Sequence, residues 1–191
     1  MDTFQHVTVL SSIIIGLGIT HLLTGVVRLI QSPDMRSAYW LHIVVGGVVF
    51  FSLVSAWWLS LTLTMIEEIS FPHYLYVVVY SVLQYAICVI LFPLHEDDFI
   101  DFRAYYHGPG RWLFAFVAVL LVVDTGDTAL RGLEHLQAKG LFYVPAQLTL
   151  AAWAVAALIS RREIVHAGLA VAWTAYLLAW MLGVSAGSPV S

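Results

Sequence analysis

The sequence predicts an all-α integral membrane protein, a bundle of six transmembrane helices, and three observations carry that expectation. Six long apolar stretches make up most of the 191 residues. Charged residues are only 10% of the chain against 61% hydrophobic ones, and they fall almost entirely in the short gaps between the stretches. The runs also lack the apolar/polar alternation of barrel strands. Only helices and closed barrels satisfy their backbone within hydrocarbon, so helices are expected. A water-soluble domain has no means of hiding so much apolar surface.

A helix needs about 20 apolar residues to cross about 30 Å of hydrocarbon. On that measure the spans are expected at residues 7–30, 40–66, 73–94, 112–136, 142–160 and 164–184. No linker or Ser/Gly/Pro tract separates them, so residues 1–191 read as a single transmembrane domain. Three helices per half would set two halves in opposite orientation, the layout of inverted-repeat transporters. His73 and His166 open the third and sixth spans, and Gly25 and Gly132 fall at comparable places in the first and fourth.

Orientation follows from Lys and Arg, because every connection is short. Arg28, Arg36, Arg103, Arg111, Arg161 and Arg162 flank the first, third and fifth loops; Arg131 and Lys139 belong to the fourth. The basic loops are therefore expected in the cytoplasm, with both termini outside and the protein multi-pass in a cell inner membrane. The first run lacks the cationic start and small-residue cleavage site of a signal peptide, and reads as a permanent span. Tryptophans at span ends, Trp40 and Trp112 on one side and Trp57 and Trp58 on the other, suit headgroup anchoring.

In the first span Ser11, Gly18 and Gly25 recur every seven residues. Small residues let a second backbone approach closely, which is how membrane helices associate. This stripe is expected to pack helices, and, in a bundle with little room for a pore within one protomer, to support a homo-oligomer. His21 lies on the same helix. It is either a proton carrier or ligand, or a neutral ring donating one hydrogen bond to a neighbour.

The third connection, residues 95–110, is the longest. Phe99, Phe102 and Tyr106 share a helical face there, Asp97 or Asp98 is placed to cap it, and Gly108-Pro109-Gly110 should end it. A short amphipathic helix in the cytoplasmic interface is expected.

The strongest polar signal is in the fourth span, where Asp124, Asp127, Thr128 and Arg131 lie along one face and Asp127 and Arg131 are spaced for an ion pair. Asp124 lies about 20 Å along the helix from Arg111. An acid at that depth should face the bundle interior or a watery cavity. Tyr76, Tyr80 and Gln84 form a stripe down the third span. With Glu67 and Glu68 they would line an acidic vestibule leading toward His21. The Asp127/Arg131 pair also suits a purely structural clamp, or a span that ends near Asp124 and leaves the rest in water. In the sixth span His166, Ala170, Trp173, Leu177 and Trp180 share a face suited to packing.

Net charge is −4 with no basic patch, so nucleic acid is not an expected partner. Cys88 is the single cysteine, which excludes an intrachain disulfide and argues against a Cys-based zinc or iron–sulfur site. His21, His42, His95 and His166 lie at comparable depths and are the candidates for a metal or haem, but no HxxxH or HExxH spacing joins them, and no cofactor is predicted. No GxSxG or phosphate-binding loop is present, so an enzyme is not the leading expectation. That expectation is a small channel or transporter for an ion, proton or small polar solute. The alternatives are a non-catalytic membrane subunit or assembly factor with a protein partner in the bilayer, and a haem- or metal-binding redox protein.

The segment Ser12-Ile-Ile-Ile-Gly-Leu-Gly-Ile-Thr-His21-Leu-Leu-Thr-Gly25-Val-Val-Arg28, with Tyr39-Trp-Leu-His42, Trp57-Trp58 and Asp101-Phe-Arg-Ala-Tyr-Tyr106, resembles short bacterial polytopic membrane proteins with no assigned activity. The similarity covers mainly the first two spans. It implies a bacterial inner membrane and carries no site.

Overall fold

The computed structural model describes residues 3–31, 39–60, 71–93, 101–130, 139 and 142–187. Among them the chain forms α1 (Thr3–Gln31), α2 (Trp40–Ser60), α3 (Phe71–Leu91), the short α4 (Phe102–His107), a 3-10 turn (Pro109–Arg111), α5 (Trp112–Leu130), α6 (Tyr143–Ile159) and α7 (Glu163–Gly187), with no strand. Five stretches, Thr8–Gln31, Trp40–Trp58, Phe71–Leu91, Pro109–Gly126 and Glu163–Leu182, are long and apolar enough to cross a membrane. The sixth, α6, is apolar but has 17 residues, about 25 Å at the usual helical rise. The molecule is a helical membrane bundle.

The expected span ends shift where local chemistry stops a helix. The third was expected to reach residue 94, but α3 ends at Leu91. Pro93 has no backbone N–H, and the residue before a proline is pushed out of helical geometry. The second and fourth were expected to reach 66 and 136; α2 and α5 are described to Ser60 and Leu130, and the remainder lies outside the described residues.

The helices form a ring in which each touches the next: α1 with α3, α3 with α5, α5 with α6, α6 with α7, α7 with α2, and α2 back to α1. α2 also meets α3 and α4, and half of its membrane window is buried, more than in any other span found. Helix pairing is not repeated between the two three-helix halves: α1 lies chiefly along α3, whereas α5, its counterpart, lies chiefly along α6.

The α1–α3 seam shows how sequence becomes packing. Ser11, Ile15, Gly18, Leu22, Gly25 and Leu29 are the buried residues of α1 among its described side chains, and their spacing alternates four and three. Val77, Ser81, Gln84, Cys88 and Leu91 repeat that alternation on α3. This is the 3.5-residue repeat of helices that wrap with a left-handed twist. A Cβ on Gly18 would meet Cys88 Sγ at 3.3 Å, and one on Gly25 would overlap the Phe92 ring. The small-residue stripe is thus filled from within the chain, by side chains of α2 and α3 and by Phe92. On the other side of the bundle the Trp153 indole lies over Gly168 and donates to the Val165 carbonyl at 3.0 Å, joining α6 to α7.

Helix α4 also departs from expectation. Its cap is Asp101, which accepts from the Arg103 and Ala104 amides at 2.9 and 3.0 Å. Asp97, Asp98 and Phe99 lie outside the described residues. Phe102 and Tyr106 do share an apolar face, and it is buried against the end of the bundle. Trp40, Trp57, Trp58 and Trp112 are exposed near helix ends, as membrane anchors would be.

Candidate functional site

Two polar clusters sit at opposite ends of the bundle. The first is built around Asp124, one turn before Thr128 on α5. Tyr143 and Gln147, one turn apart at the start of α6, both donate to Asp124 Oδ2, the tyrosine hydroxyl at 2.5 Å. Tyr76 of α3 donates to Oδ1 at 3.3 Å. Thr128 Oγ1 donates back to the Asp124 carbonyl at 3.1 Å and lies 3.0 Å from the Tyr143 hydroxyl. Three neutral donors from two neighbouring helices thus hold a carboxylate inside an apolar span, and charge-assisted bonds of this kind are the strong ones.

Lys139 completes the cluster. Its ammonium donates to Thr128 Oγ1 at 2.8 Å and to the Tyr143 hydroxyl at 3.4 Å. It also stands over the Tyr143 ring, 4.4 Å from the centroid, and 5.5 Å from the Trp180 ring centroid. The two rings are 5.7 Å apart. Tyr80 follows Tyr76 down α3, their rings 5.7 Å apart. Gln84, the next member of that stripe, is buried with neither amide atom hydrogen-bonded. It borders a void with room for about one water, shared with Ser52, Leu53, Leu120 and Trp173. A second void of similar size lies against Val45, Val117, Trp173 and His166.

The second cluster lies where α2, α4, α5 and α7 meet. His166 Nε2 lies 3.0 Å from the Ser160 carbonyl, to which it must donate; Nδ1 is then the acceptor for the Tyr106 hydroxyl at 3.2 Å. His107 Nε2 lies 3.0 Å from the Tyr39 hydroxyl, and the His107 and His166 rings are 5.4 Å apart. Arg103 pairs with Glu163 at 2.9 Å, an exposed bridge near Tyr39. Burial, then the Glu163 carboxylate, raises the Tyr39 hydroxyl from 10.0 to about 12. Burial raises Tyr106 as well, whereas His107 is lowered, first by burial and then by the Arg103 charge.

The sequence-predicted residues divide accordingly. Asp124, Thr128 and Tyr80 come together around the first cluster, and Gln84 continues the stripe inward. The Asp127 side chain, Arg131, Glu67, Glu68 and His95 lie outside the described residues. His21 is elsewhere: its Nε2 is 2.6 Å from the Phe92 carbonyl and donates to it, satisfying a carbonyl at the end of α3. His42 is enclosed by Phe92, Phe102 and Tyr106. Neither of its ring nitrogens makes a hydrogen bond among the described residues. His21, His42 and His166 therefore serve different contacts, and among the described residues no three His, Cys, Asp or Glu side chains gather as a metal set.

Sequence reasoning missed Tyr143, Gln147, Lys139 and Trp180. The signal was present: Tyr143 and Gln147 are one turn apart in an otherwise apolar span, just as Tyr76 and Tyr80 are. No protein-family model matches the chain, and no curated protein or solved structure shows significant similarity to it.

Proposed function

We propose that the chain is a small membrane transport protein for a proton or small cation, with Asp124 as the group that binds the transported charge. The observation that supports this reading is the Asp124 carboxylate held between α5, α3 and α6 by Tyr76, Tyr143 and Gln147. Intramembrane acids are expensive and recur on ion and proton routes. Tyr80 and Gln84 extend polarity inward from this site, and two separate water-sized voids, both bordered by Trp173, lie beyond it, one against Gln84 and one against His166. Spaces of that size suit a proton better than a bulky solute. In this reading the Arg-bearing end, with Arg103, Arg111, Arg161 and Arg162, faces the cytoplasm of a bacterial cell and the Asp124 end faces outward. A homo-oligomer would use lipid-facing surfaces, since the Ser11/Gly18/Gly25 seam is occupied by α3.

Purified protein in liposomes loaded with a pH-sensitive dye tests this. Wild type should dissipate an imposed proton or cation gradient, and Asp124→Asn should abolish the flux while keeping its thermal transition. Equal flux in the two, or none above empty liposomes, would overturn it. A second reading, a membrane-embedded partner subunit without transport, draws on the closely packed interior, where the voids beside Gln84 and His166 each have room for about one water. It would be favoured by absent flux together with a stable complex recovered from native membranes.

A further inference from the structure

Gln84 is an amide inside the α3 span that no protein group satisfies. The residue is 2% exposed, and neither its Oε1 nor its Nε2 makes a hydrogen bond among the described residues. Its polar neighbours on the buried face of α3 are committed to the helix itself. The Ser81 hydroxyl donates to the Val77 carbonyl at 2.8 Å, and the Cys88 thiol donates to the Gln84 carbonyl at 3.1 Å. A primary amide carries donors and acceptor lone pairs, and buried polar groups nearly always have partners. Leaving them unpaired in an apolar interior is costly. Beside the amide lies a void with room for about one water. Gln84 and Ser52 of α2 line it, together with aliphatic side chains such as Leu53, Ile87 and Leu120. The similar void against His166 makes the contrast. Both nitrogens of that ring are already bonded, to the Ser160 carbonyl and the Tyr106 hydroxyl, so the ring has nothing left to offer a water.

We infer that the void beside Gln84 is a binding site for a single resident water molecule, held by the Gln84 amide and the Ser52 hydroxyl. The amide supplies a donor and an acceptor, and the hydroxyl serves as either, so a water in this space has the partners that internal waters keep. No charged side chain lines the void, so nothing there offsets the charge of an ion. The purpose of this water rests on the transport reading, in which it is the polar station inward of Tyr80 for a proton taken up at Asp124. The site itself does not need that reading.

The test is magnetisation transfer from water to isotopically labelled glutamine side chains in the detergent-purified protein. The Gln84 signals are those lost in Gln84→Met. In wild type they should receive transfer from water with opposite signs in the laboratory and rotating frames, which marks a bound water and not chemical exchange. Val49→Ile enlarges a side chain that lines the void and leaves Ser52 in place, so it should erase the transfer. Leu120→Phe stands in if Val49→Ile loses its thermal transition. Absence of transfer in wild type overturns the site. Transfer that survives the filling variant comes from the Ser52 hydroxyl and overturns it as well. The readout needs no gradient, so the two ideas separate. A bound water without flux defeats transport and keeps the site, and Asp124-dependent flux without transfer defeats the site and keeps transport.

Discussion

Gly25 lies directly beneath the ring of Phe92, so closely that a single methyl on Gly25 would overlap it. Phe92 cannot step aside: it is 1% exposed, its ring stands edge-on to His42 at 4.9 Å, and its carbonyl is bonded to His21. Gly25→Ala should therefore destabilise the protein by about 1–3 kcal/mol, the usual range for overpacking. Gly16 and Gly47 meet nothing within 4 Å. Alanine there should be neutral or stabilising by up to about 1 kcal/mol from helix propensity. Thermal transitions in detergent check the contrast. Equal effects at Gly16 and Gly25 would mean that α1 and α3 do not pack along this seam.

The Asp124 cluster predicts strong coupling. Tyr143→Phe removes a donor from a half-buried carboxylate, which should cost about 1–3 kcal/mol. In an Asp124→Asn background the same change should cost clearly less, because the charge it served is gone. A double-mutant cycle measures the difference. Additive losses would mean that water already satisfies the Asp124 oxygens.

Acid should weaken the Arg-bearing end. The fold lowers the His107 pKa below its ordinary 6.5, by burial and then by the Arg103 charge, so it favours the neutral ring. The unfolded chain then binds a proton more readily than the folded one. Stability from this group is complete above pH 6.5 and falls as the pH drops below it toward the folded value. His107→Gln should flatten the stability profile in that window. An unchanged profile would assign the acid sensitivity to another group.

Alkali acts through Tyr39. Its hydroxyl titrates at about 12 in the fold against 10.0 ordinarily, raised first by burial and then by Glu163. The contribution is present below pH 10 and is lost as pH rises through the folded value. Tyr39→Phe should remove that alkaline limb. By contrast, Arg103→Ala breaks an exposed ion pair and should cost no more than about 1 kcal/mol, less at high salt.

Orientation is accessible to thiol labelling, because Cys88 is fully buried and should not react in the native protein. Phe142→Cys and Arg161→Cys place exposed thiols at opposite ends of α6. In intact spheroplasts a membrane-impermeant maleimide should label Phe142→Cys and reach Arg161→Cys only after lysis. The reverse pattern would invert the proposed topology.

Hydrophobic length and charge placement determined that the chain is a helical membrane bundle, since both are properties of single segments read against a bilayer about 30 Å thick. Periodicity determined more: the seven-residue repeat of Ser11, Gly18 and Gly25 announced a close helix contact, and the Tyr76/Tyr80 stripe announced a polar face. Only the tertiary structure decided partners. Nothing in the local pattern of α1 says whether a second copy or α3 fills its groove, and Phe92 does so from 67 residues away along the chain. Asp124 was legible as an acid within an apolar span, but its donors Tyr143 and Gln147 lie on another helix, and the register between α5 and α6 is a property of packing. His21 was legible as costly; that its partner is a backbone carbonyl was not, because carbonyls are the same at every residue and carry no signature in a sequence. Tertiary structure also decided what the apolar face of α4 meets, since Phe102 and Tyr106 pack on His42, Phe114 and His166.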